Sequence, residues 1–524
     1  MSARDAGPGD EVGVVTNGAL PYEFRVLTRD PVPVGEYLVA SAADGSEVLG
    51  MVEETEINSA IMEMVRNFSD AREAGRLALS NPRDRSYSSS VRVLGVLADL
   101  RRGEARMPSL PPVPGSPVRR ASREDLSAAF GGSGRSWIPV GSLLRAPSVR
   151  VHVDLNRVAS RHLAILASTG AGKSNMLALI AKAVAGLRGT MVIFDYHGEY
   201  AGLNLGRRGR AILPRINPRH LDSDELADLL EIREGADRQR HALSEALEGA
   251  RDERDFWGEL QRGLDGIAER EREYREAARR ARDIVRAAVR RLGSILDPDG
   301  PDPLDQLAEG YVNVVNLSEL SPRQADVVIS RYMDEVLADR KRFASGERGR
   351  LSMPVVLALE EAHVFVPGDA RTKTRESASR IAREGRKFGV SLIIVSQRPQ
   401  RLDQDVLSQM GSLAVGRLLN QRDRAFVQDS SEFITEEMSG YLPDLNPGEA
   451  LLVGQWVKIP ALVRVDRVEE KLVGRDVDAV GEWSSREGPS EDTGEFIERP
   501  RGGTSPPRAP WPRRAGPGPP VSPR

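Results

Sequence analysis

The segment HLAILASTGAGKSNML, residues 162–177, constrains the fold of this chain more than any other stretch. Four apolar residues precede a glycine-containing loop, and the alanine-rich run SNMLALIAKAVAGL follows it. This order predicts a buried strand, a tight loop and a helix, whose backbone N–H groups can together surround phosphates. The usual pattern has glycine where this chain has Ala167, but the position requires mainly a small residue.

Each residue type in the loop has a chemical reason. Gly170 and Gly172 permit the tight turn, Lys173 is expected to reach the β- and γ-phosphates, and the Ser174 hydroxyl is expected to bind Mg²⁺. The loop therefore predicts ATP and Mg²⁺ as cofactors. The predicted nucleotide-binding residues are Ser168, Thr169, Gly170, Ala171, Gly172, Lys173, Ser174 and Asn175.

A relaxed loop match also arises by chance, so a second motif matters. PVVLALEEAHVF, residues 354–365, predicts a buried strand that ends in Glu360 and Glu361. Glu360 is expected to hold the Mg²⁺ shell, and Glu361 to orient or deprotonate the attacking water. A third strand, VSLIIVSQRP, ends in Ser396 and Gln397, which either sense the γ-phosphate or form a simple strand-exit turn.

The stretch FDYHGEY leaves two interpretations open. Asp195, His197 and Glu199 alternate and would share one face if the chain were extended, as in a three-residue metal site. The favoured alternative ends the strand at Asp195, beside the phosphate loop and within reach of the magnesium or its waters.

The rest of the chain divides into regions that differ in composition and in the pattern of apolar residues. Residues 11–145 contain short Val-rich strands between turn signals, which predict a small β-barrel or sandwich. In residues 146–470, apolar strands alternate with helices, as in an α/β domain with a parallel sheet. Residues from about 222 to 295 predict a charged helical insertion, solvated or in contact with DNA. Residues 1–10 and the Pro/Gly/Arg-rich residues 471–524 are expected to be disordered.

Composition excludes several function classes. The chain has no cysteine, which rules out disulfides, Cys-ligated zinc and thiol nucleophiles. It has no apolar run of membrane-spanning length and no signal-peptide core, so a cytoplasmic location is expected. The net charge of −3 gives no global argument for nucleic-acid binding, which would need a local patch or a ring of repeated charges.

Four motifs in order carry a family resemblance. They are RHLAILASTGAGKSN, FDYHGEY, EEAHVF and REGRKFGVSLIIVSQRPQRLDQDVLSQ. Together they resemble the HerA family of hexameric DNA-translocating ATPases, over about residues 11–468. The resemblance implies a RecA-like P-loop NTPase core behind an N-terminal barrel, which in that family is the HAS barrel. Ala167 departs from the family, which usually has glycine at this position.

The resemblance also implies roles for individual residues. Arg161 matches an arginine offered to the neighbouring subunit's nucleotide, and Arg386 matches another directed at the phosphates. Arg383 is an alternative to Arg386, and an ordinary surface ion pair is the alternative for each. The predicted catalytic residues are Lys173, Asp195, Glu360, Glu361, Gln397, Arg161 and Arg386, with Ser174 and Glu360 as magnesium ligands.

The family implies a homohexamer that pumps double-stranded DNA through a central channel, with a NurA-type nuclease partner in DNA-end processing. Arg371, Lys373 and Arg375 either line the channel or belong to a solvated helix. Two alternatives stay open: another FtsK-like DNA pump, and an ATP-dependent ring scaffold for an anti-phage effector. The expected absence of membrane segments counts against membrane-anchored pumps.

Overall fold

The computed structural model describes residues 11–200 and 202–468, which contain two β-sheets of different kinds. The first sheet consists of β1 (Glu11–Val15), β2 (Glu23–Thr28), β3 (Tyr37–Ser41), β4 (Glu47–Ser59), β5 (Arg85–Val96) and β6 (Pro117–Arg120). These strands close into an antiparallel barrel in the order β1–β2–β5–β4–β3–β6. The predicted small β-barrel is thus confirmed.

Alternation along the strands explains the barrel core. In β2, Phe24 and Val26 are buried while Arg25 and Leu27 face outward. Strands β4 and β5 run beyond the barrel as a long ribbon, and its tip carries two helices. The helices of this region are α1 (Ala60–Glu63), α2 (Phe68–Ser80), α3 (Leu97–Arg102) and α4 (Arg123–Phe130).

The second sheet has eleven strands. They are β7 (Trp137–Leu143), β8 (Arg150–Asp154), β9 (Leu163–Leu166), β10 (Thr190–Asp195), β11 (Gly209–Ile212), β12 (Val312–Asn316), β13 (Val355–Leu359), β14 (Val390–Ser396), β15 (Ser412–Val415), β16 (Glu449–Gly454) and β17 (Ala461–Val465). Their order is β11–β12–β10–β13–β14–β9–β15–β16–β17–β7–β8. The strands from β11 to β15 in this order are parallel, and the remaining four pair antiparallel.

Strand β7 belongs to this large sheet, although the sequence interpretation grouped residues 11–145 with the barrel. It pairs antiparallel with β17 on one side and β8 on the other. The chain therefore changes sheet between β6 and β7, before residue 145. An apolar strand near a boundary shows that it pairs with something, but not with which sheet.

Helices flank the large sheet, as the α/β pattern predicts. They are α5 (Leu155–Arg161), α6 (Lys173–Gly186), α7 (Ser223–Leu229), α8 (Asp237–Ala250), α9 (Phe256–Arg270), α10 (Arg275–Leu292), α11 (Pro303–Gln306), α12 (Pro322–Ala344), α13 (Ala362–Phe365), α14 (Lys373–Glu384), α15 (Gln404–Ser408), α16 (Gln421–Asp429) and α17 (Glu436–Tyr441). Every residue of β9, β10, β13 and β14 is buried, because apolar clusters cover both faces of the sheet.

The charged insertion is helical, as its spacing predicts. Helices α8, α9 and α10 pack against one another through residues such as Leu243, Leu260 and Val285. Many of its charges pair locally, and one example is Arg282 with Asp265 at 2.6 Å. Local pairing favours the interpretation that most of these charges form a solvated helical surface.

Two predictions fall on the ends of the chain. The expected disorder of residues 1–10 and 471–524 lies outside the described residues. Across the helices in the described part of the chain, none combines the length and apolarity that crossing a membrane requires.

Candidate nucleotide site and the opposite arginine edge

The phosphate loop lies between β9 and α6, at the carboxyl edge of the parallel strands. Gly170 and Gly172 have φ angles of 74° and 107°, in the left-handed region that favours glycine. The Ala171 N–H donates to the Ser168 carbonyl at 3.2 Å, and α6 begins at Lys173. Among the described residues, no side chain caps α6, so its free N–H groups face the loop, as phosphate binding requires.

Ala167 fits the loop because of a glycine on the neighbouring chain segment. Ala167 is 4% exposed, and its N–H donates to the Ser396 carbonyl at 3.2 Å. A Cβ placed on Gly416 would lie only 2.9 Å from the Ala167 Cβ. Gly416 therefore leaves the space that the Ala167 methyl fills, and the departure from the usual pattern is sterically compensated.

Lys173 and Ser174 begin α6 and point toward acidic groups. The Lys173 ammonium donates to the Ser168 carbonyl at 3.1 Å. Burial lowers the pKa of Lys173, against the opposing effect of nearby carboxylates, of which Glu361 acts most strongly. The Ser174 hydroxyl donates to the Glu199 carboxylate at 2.7 Å. Both side chains are therefore held at the mouth of the loop.

The Asn175 side chain is held by the segment after β17, and its nucleotide contact stays a prediction. Its amide nitrogen donates to the Asp466 carbonyl at 2.8 Å, and its amide oxygen accepts the Val468 N–H at 2.8 Å. The Asp466 carboxylate in turn pairs with Arg150 on β8. Asn175 thus fastens the segment after β17 to α6.

Asp195 supports a turn rather than facing the phosphate loop. It is fully buried, and its two oxygens accept the N–H groups of Glu199 and Tyr200, each at 2.9 Å. Burial raises the pKa of Asp195, against these backbone donors. Both oxygens of Asp195 thus serve the turn, and its contact with magnesium or its waters stays a prediction.

The turn sends its polar side chains to different partners. Gly198 has a φ of 74° and reverses the chain, so Glu199 meets the α6 serine while His197 lies 3.5 Å from Glu361. The hypothetical metal site of Asp195, His197 and Glu199 assumed an extended chain and is not formed. Within the described ranges, no three or more His, Cys, Asp or Glu side chains could together hold a metal ion. Sequence reasoning undervalued Glu199, whose only signal was the glycine turn after a strand-end acid.

Glu360 follows β13 and is 4% exposed. Its Oε2 atom is buried and accepts no hydrogen bond from a residue that the structure describes. Burial, reinforced by the charges of Glu199, Asp195 and Glu361, raises the pKa of Glu360 to about 8. A divalent cation would stabilise such a buried carboxylate among other carboxylates.

The residues at this edge fit Mg²⁺. The ion typically takes one or two carboxylates, keeps several waters and binds substrate phosphates, so it needs no closed protein cage. Ser174 and Glu360 would hold it directly or through water, and Glu199 would orient the Ser174 hydroxyl. The orphaned Glu360 oxygen is the observation that supports this assignment.

Glu361 directly follows Glu360 after β13. Its φ of 47° is unusual for a residue other than glycine. One carboxylate oxygen accepts the Gln397 amide at 3.2 Å, and the other lies 3.1 Å from His363 Nδ1. Burial acts to raise the pKa of Glu361, but His363, Lys173 and His197 bring it below its usual value. The carboxylate is therefore ionised at neutral pH, as a general base requires.

Gln397 connects the general base to the phosphate loop. Its amide nitrogen donates to Glu361, and its amide oxygen accepts the Thr169 hydroxyl. Ser396 is fully buried, and its hydroxyl accepts the Arg398 N–H at 3.1 Å. This geometry favours Gln397 as the phosphate-sensing group and gives Ser396 the role of a strand-exit turn.

The sequence is similar to HerA helicases over most of its length. The DNA double-strand break repair helicase HerA of Saccharolobus solfataricus is 34% identical over 497 residues, which cover 91% of this chain and 96% of the relative. The family model described as "Helicase HerA, central domain" matches residues 138–336. The chain belongs to the HerA helicase family. A probable helicase of Methanocaldococcus jannaschii, MJ1565, is also 34% identical, over 88% of this chain and 91% of that protein.

Two solved structures align with this chain at low identity. VirB4 of Thermoanaerobacter pseudethanolicus aligns with a TM-score of 0.49 and 18% identity, over 65% of this chain and 98% of that one. The bacterial conjugative coupling protein TrwBdeltaN70 aligns with a TM-score of 0.47 and 16% identity, over 68% and 95%. Membership of the HerA family confirms the resemblance drawn from the four motifs, and with the P-loop site it makes this chain an ATP-hydrolysing enzyme.

The remaining predicted catalytic residues of this HerA-family chain lie at the amino edge of the parallel strands. Arg161 ends α5 directly before β9, and Arg386 lies in the 3₁₀ turn Gly385–Phe388 before β14. Arg383 precedes this turn in α14. Within the described ranges, none of the three forms an ion pair.

The arginines share one surface cavity. Arg161, Arg383 and Arg386 line a depression of about 490 Å³ with Asp429 and Glu432. Burial, followed by the charges of Arg386 and Arg157, lowers the pKa of Arg161. The cavity therefore concentrates positive charge at the edge opposite the phosphate loop.

The three basic residues predicted for the channel differ in the hydrogen bonds and ion pairs that hold them. Arg375 pairs with Asp403 at 2.6 Å and donates to the Ala370 carbonyl at 2.8 Å. The Lys373 N–H donates to Asp326, which helps to fix the start of α14. Arg371 is exposed and has no ion-pair partner among the residues that the structure describes. Arg371 is thus the member of this group best placed to meet an external phosphate.

Proposed function

We propose that this chain is the ATP-driven motor of a homohexameric ring that moves double-stranded DNA through its central channel. The observation that carries the proposal is the separation of two halves of one catalytic site. The phosphate loop and general base lie at the carboxyl edge of the sheet, while Arg161 and Arg386 lie at the amino edge.

The strand lengths prevent one chain from joining these halves. Four residues of β9 separate Arg161 and His162 from the loop, about 13 Å at 3.3 Å per residue. The seven residues of β14 separate the Arg386 turn from Gln397 by about 23 Å. This separation supports arginines that serve a neighbour's nucleotide through a head-to-tail contact, and such a contact forms a ring where the rotation between subunits closes.

In the proposed hydrolysis, each group either handles a proton or offsets negative charge. Glu361 accepts a proton from the attacking water, which Gln397 helps to place. Lys173 and the neighbour's Arg161 and Arg386 offset the negative charge of the transferring phosphoryl group. Bound Mg²⁺ supplies further positive charge at the phosphate oxygens.

DNA as the substrate follows from the family. The curated relatives are named as double-strand break repair helicases, and the same activity is proposed here. The net charge of −3 does not oppose this, because a ring repeats Arg371 and the basic surface of α14 around one channel. A NurA-type nuclease is the proposed partner, and the scaffold and FtsK-like alternatives are outcomes of the test below.

The test is ATP turnover with and without linear duplex DNA. Wild-type protein is compared with Glu361→Gln, and with Glu347→Gln as a matched control at an exposed turn. We expect duplex DNA to stimulate the wild type and the control equally, and Glu361→Gln to lose turnover under both conditions.

Turnover that is indifferent to DNA, with a partner effector still activated, would favour the scaffold. If duplex DNA stimulates ATP turnover but the chain and a nuclease together do not process DNA ends, another type of DNA pump would be favoured. Equal turnover in wild type and Glu361→Gln would contradict the assignment of the base.

A further inference from the structure

His162 stands between Arg161 and β9, and the hydrolysis proposed above does not use it. It is 3% exposed and has a φ of 62°, a conformation that few residues other than glycine adopt. This backbone turn ends α5 and starts the strand that leads to the phosphate loop. An imidazole at such a position needs partners for both of its nitrogens.

Both partners belong to the segment that carries Arg386. The Nδ1 atom accepts the Leu392 N–H at 2.9 Å, one residue before the β14–β9 pairing of Ile393 with Leu163. The imidazole thus takes the place of a backbone acceptor at the end of the sheet ladder. The backbone of Ala382 in α14 also acts on the ring and raises its pKa, against the larger effect of burial.

We call the link that the His162 imidazole makes between β9, β14 and α14 the His162 bridge. The protonation state of the imidazole agrees with it. Because Nδ1 accepts a hydrogen bond, the ring is neutral and carries its proton on the other nitrogen. Burial lowers the pKa of His162 to about 4, so the neutral form persists at physiological pH.

Each arginine also sits on a fixed backbone. The Arg161 carbonyl accepts the Gly411 N–H at 2.8 Å, and a Cβ on Gly411 would lie 2.8 Å from that oxygen. The turn that holds Arg386 is braced by Arg340, which donates to the Phe388 carbonyl at 2.9 Å. His162 joins the two segments, because it follows Arg161 in the chain and accepts the Leu392 N–H from β14.

We propose that His162 is a positioning residue that sets the separation of Arg161 and Arg386, so that both reach the same nucleotide of a neighbouring subunit. The inference rests on the proposed function, because it assumes that the arginines act in trans. It adds one structural element to that function, a buried imidazole that connects β9, β14 and α14 at the arginine edge.

The expected consequence is a selective effect on kcat. Misplacing a catalytic group by about 1 Å can cost on the order of 100-fold in rate. Loss of the bridge disturbs the arginines presented to the neighbour but leaves the chain's own phosphate loop intact. We therefore expect kcat to fall while KM for ATP changes little.

Two variants and one control test the bridge. His162→Ala removes the imidazole with its hydrogen bond from Leu392, and we expect kcat to fall by about tenfold or more with KM within threefold. His162→Asn tolerates the positive φ and offers an acceptor near Nδ1, but it is too short to reach Ala382. We expect it to lose less than His162→Ala. His152→Ala, at a half-buried histidine on edge strand β8, is the control and should retain wild-type turnover.

Mixed rings separate positioning from general damage. Each His162 variant is co-expressed with Lys173→Ala, which has a defective phosphate loop but intact arginines. Where a Lys173→Ala subunit offers its arginines to a His162-variant neighbour, that site is complete. We therefore expect turnover in the mixture to exceed that of either variant alone. If His162→Ala does not assemble, His162→Asn carries the test.

Arg161→Ala mixed with Lys173→Ala is the reference. If the reference recovers turnover and the His162 mixture does not, His162 acts within its own subunit and the positioning proposal is overturned. If kcat of both His162 variants stays within twofold of wild type, the bridge is dispensable and the proposal is also overturned. If the reference mixture also fails to recover turnover, the arginines do not act in trans. That result contradicts the proposed function, and with it the positioning role of His162.

Discussion

The two edges of the parallel sheet are built in opposite ways. At the carboxyl edge, the loop lysine, the loop serine and the general base each have a polar partner within the chain. At the amino edge, Arg161 and Arg386 are held by their backbones, but their charges have no ion-pair partner in the described part of the chain. One edge is ready to receive a nucleotide, and the other presents charge outward.

This contrast separates binding from turnover. A nucleotide can bind at the carboxyl edge of an isolated subunit, because the loop, lysine and acidic groups are all present there. Under the proposed function, fast hydrolysis needs the arginine edge of a second subunit to offset charge in the transition state. Three single substitutions and one pair of positions test this contrast.

Arg161→Ala should have the largest effect. Removing an arginine that stabilises the transferring phosphoryl group lowers kcat by about 10³-fold or more, while ATP affinity changes little. Steady-state turnover and nucleotide binding, measured on the same preparation, check this. Arg66→Ala, at an exposed arginine between α1 and α2, is the matched control. A parallel loss of affinity and turnover would place Arg161 in structure rather than catalysis.

Glu199→Gln tests the carboxyl edge. The Ser174 hydroxyl loses a charged acceptor, so the Mg²⁺ concentration for half-maximal turnover should rise about 10-fold or more. A magnesium titration at saturating ATP measures it. Glu319→Gln is a comparison at an exposed position before α12. If Glu199→Gln leaves the magnesium dependence unchanged, the structure has overstated the importance of this carboxylate.

Glu360→Gln should stabilise the protein in the absence of nucleotide and magnesium. The folded-state pKa of Glu360 is raised to about 8 from an ordinary value of 4.5, so the folded protein binds the extra proton between these values. The stability that depends on this proton is present at pH 4.5 and is lost as the pH rises to 8. The gain in thermal midpoint from Glu360→Gln should therefore grow from pH 5 to pH 8. A gain that is constant across this range would contradict the raised pKa.

The pair Ala167 and Gly416 should give the smallest effect. Gly416→Ala alone crowds the Ala167 methyl and should destabilise the protein by about 1–3 kcal/mol. Adding Ala167→Gly should recover much of this loss, with a coupling of about 1 kcal/mol in a double-mutant cycle. Urea unfolding of the four proteins measures it. Additive effects would show that the two positions do not share space.

The sequence predicts the fold well where local pattern decides it. The apolar strands that lead into the phosphate loop and into Glu360 are buried and parallel, because continuous apolar runs occur where both sheet faces are covered. The partner of β7 could not be predicted, because an amphipathic strand fits a barrel and an open sheet equally well. Sheet membership depends on long-range pairing that no local segment specifies.

The candidate site is predictable in type but less so in detail. Lys173, Ser174 and Glu361 lie where their motifs place them. Asp195 supports the turn while Glu199 reaches Ser174. This arrangement depends on the φ of Gly198, a single backbone angle that composition does not reveal. Asn175 faces a segment nearly 300 residues later in the chain, and sequence spacing cannot show that contact.

The most direct test of the central claim mixes Arg161→Ala with Lys173→Ala at a series of ratios and measures ATP turnover. Each variant alone should be nearly inactive, one for lack of an arginine and the other for lack of a working loop. A nucleotide site completed by a neighbour predicts turnover that rises at intermediate ratios above both pure samples. Turnover that never exceeds the weighted sum of the two variants would show that each subunit completes its own site, and would contradict the account.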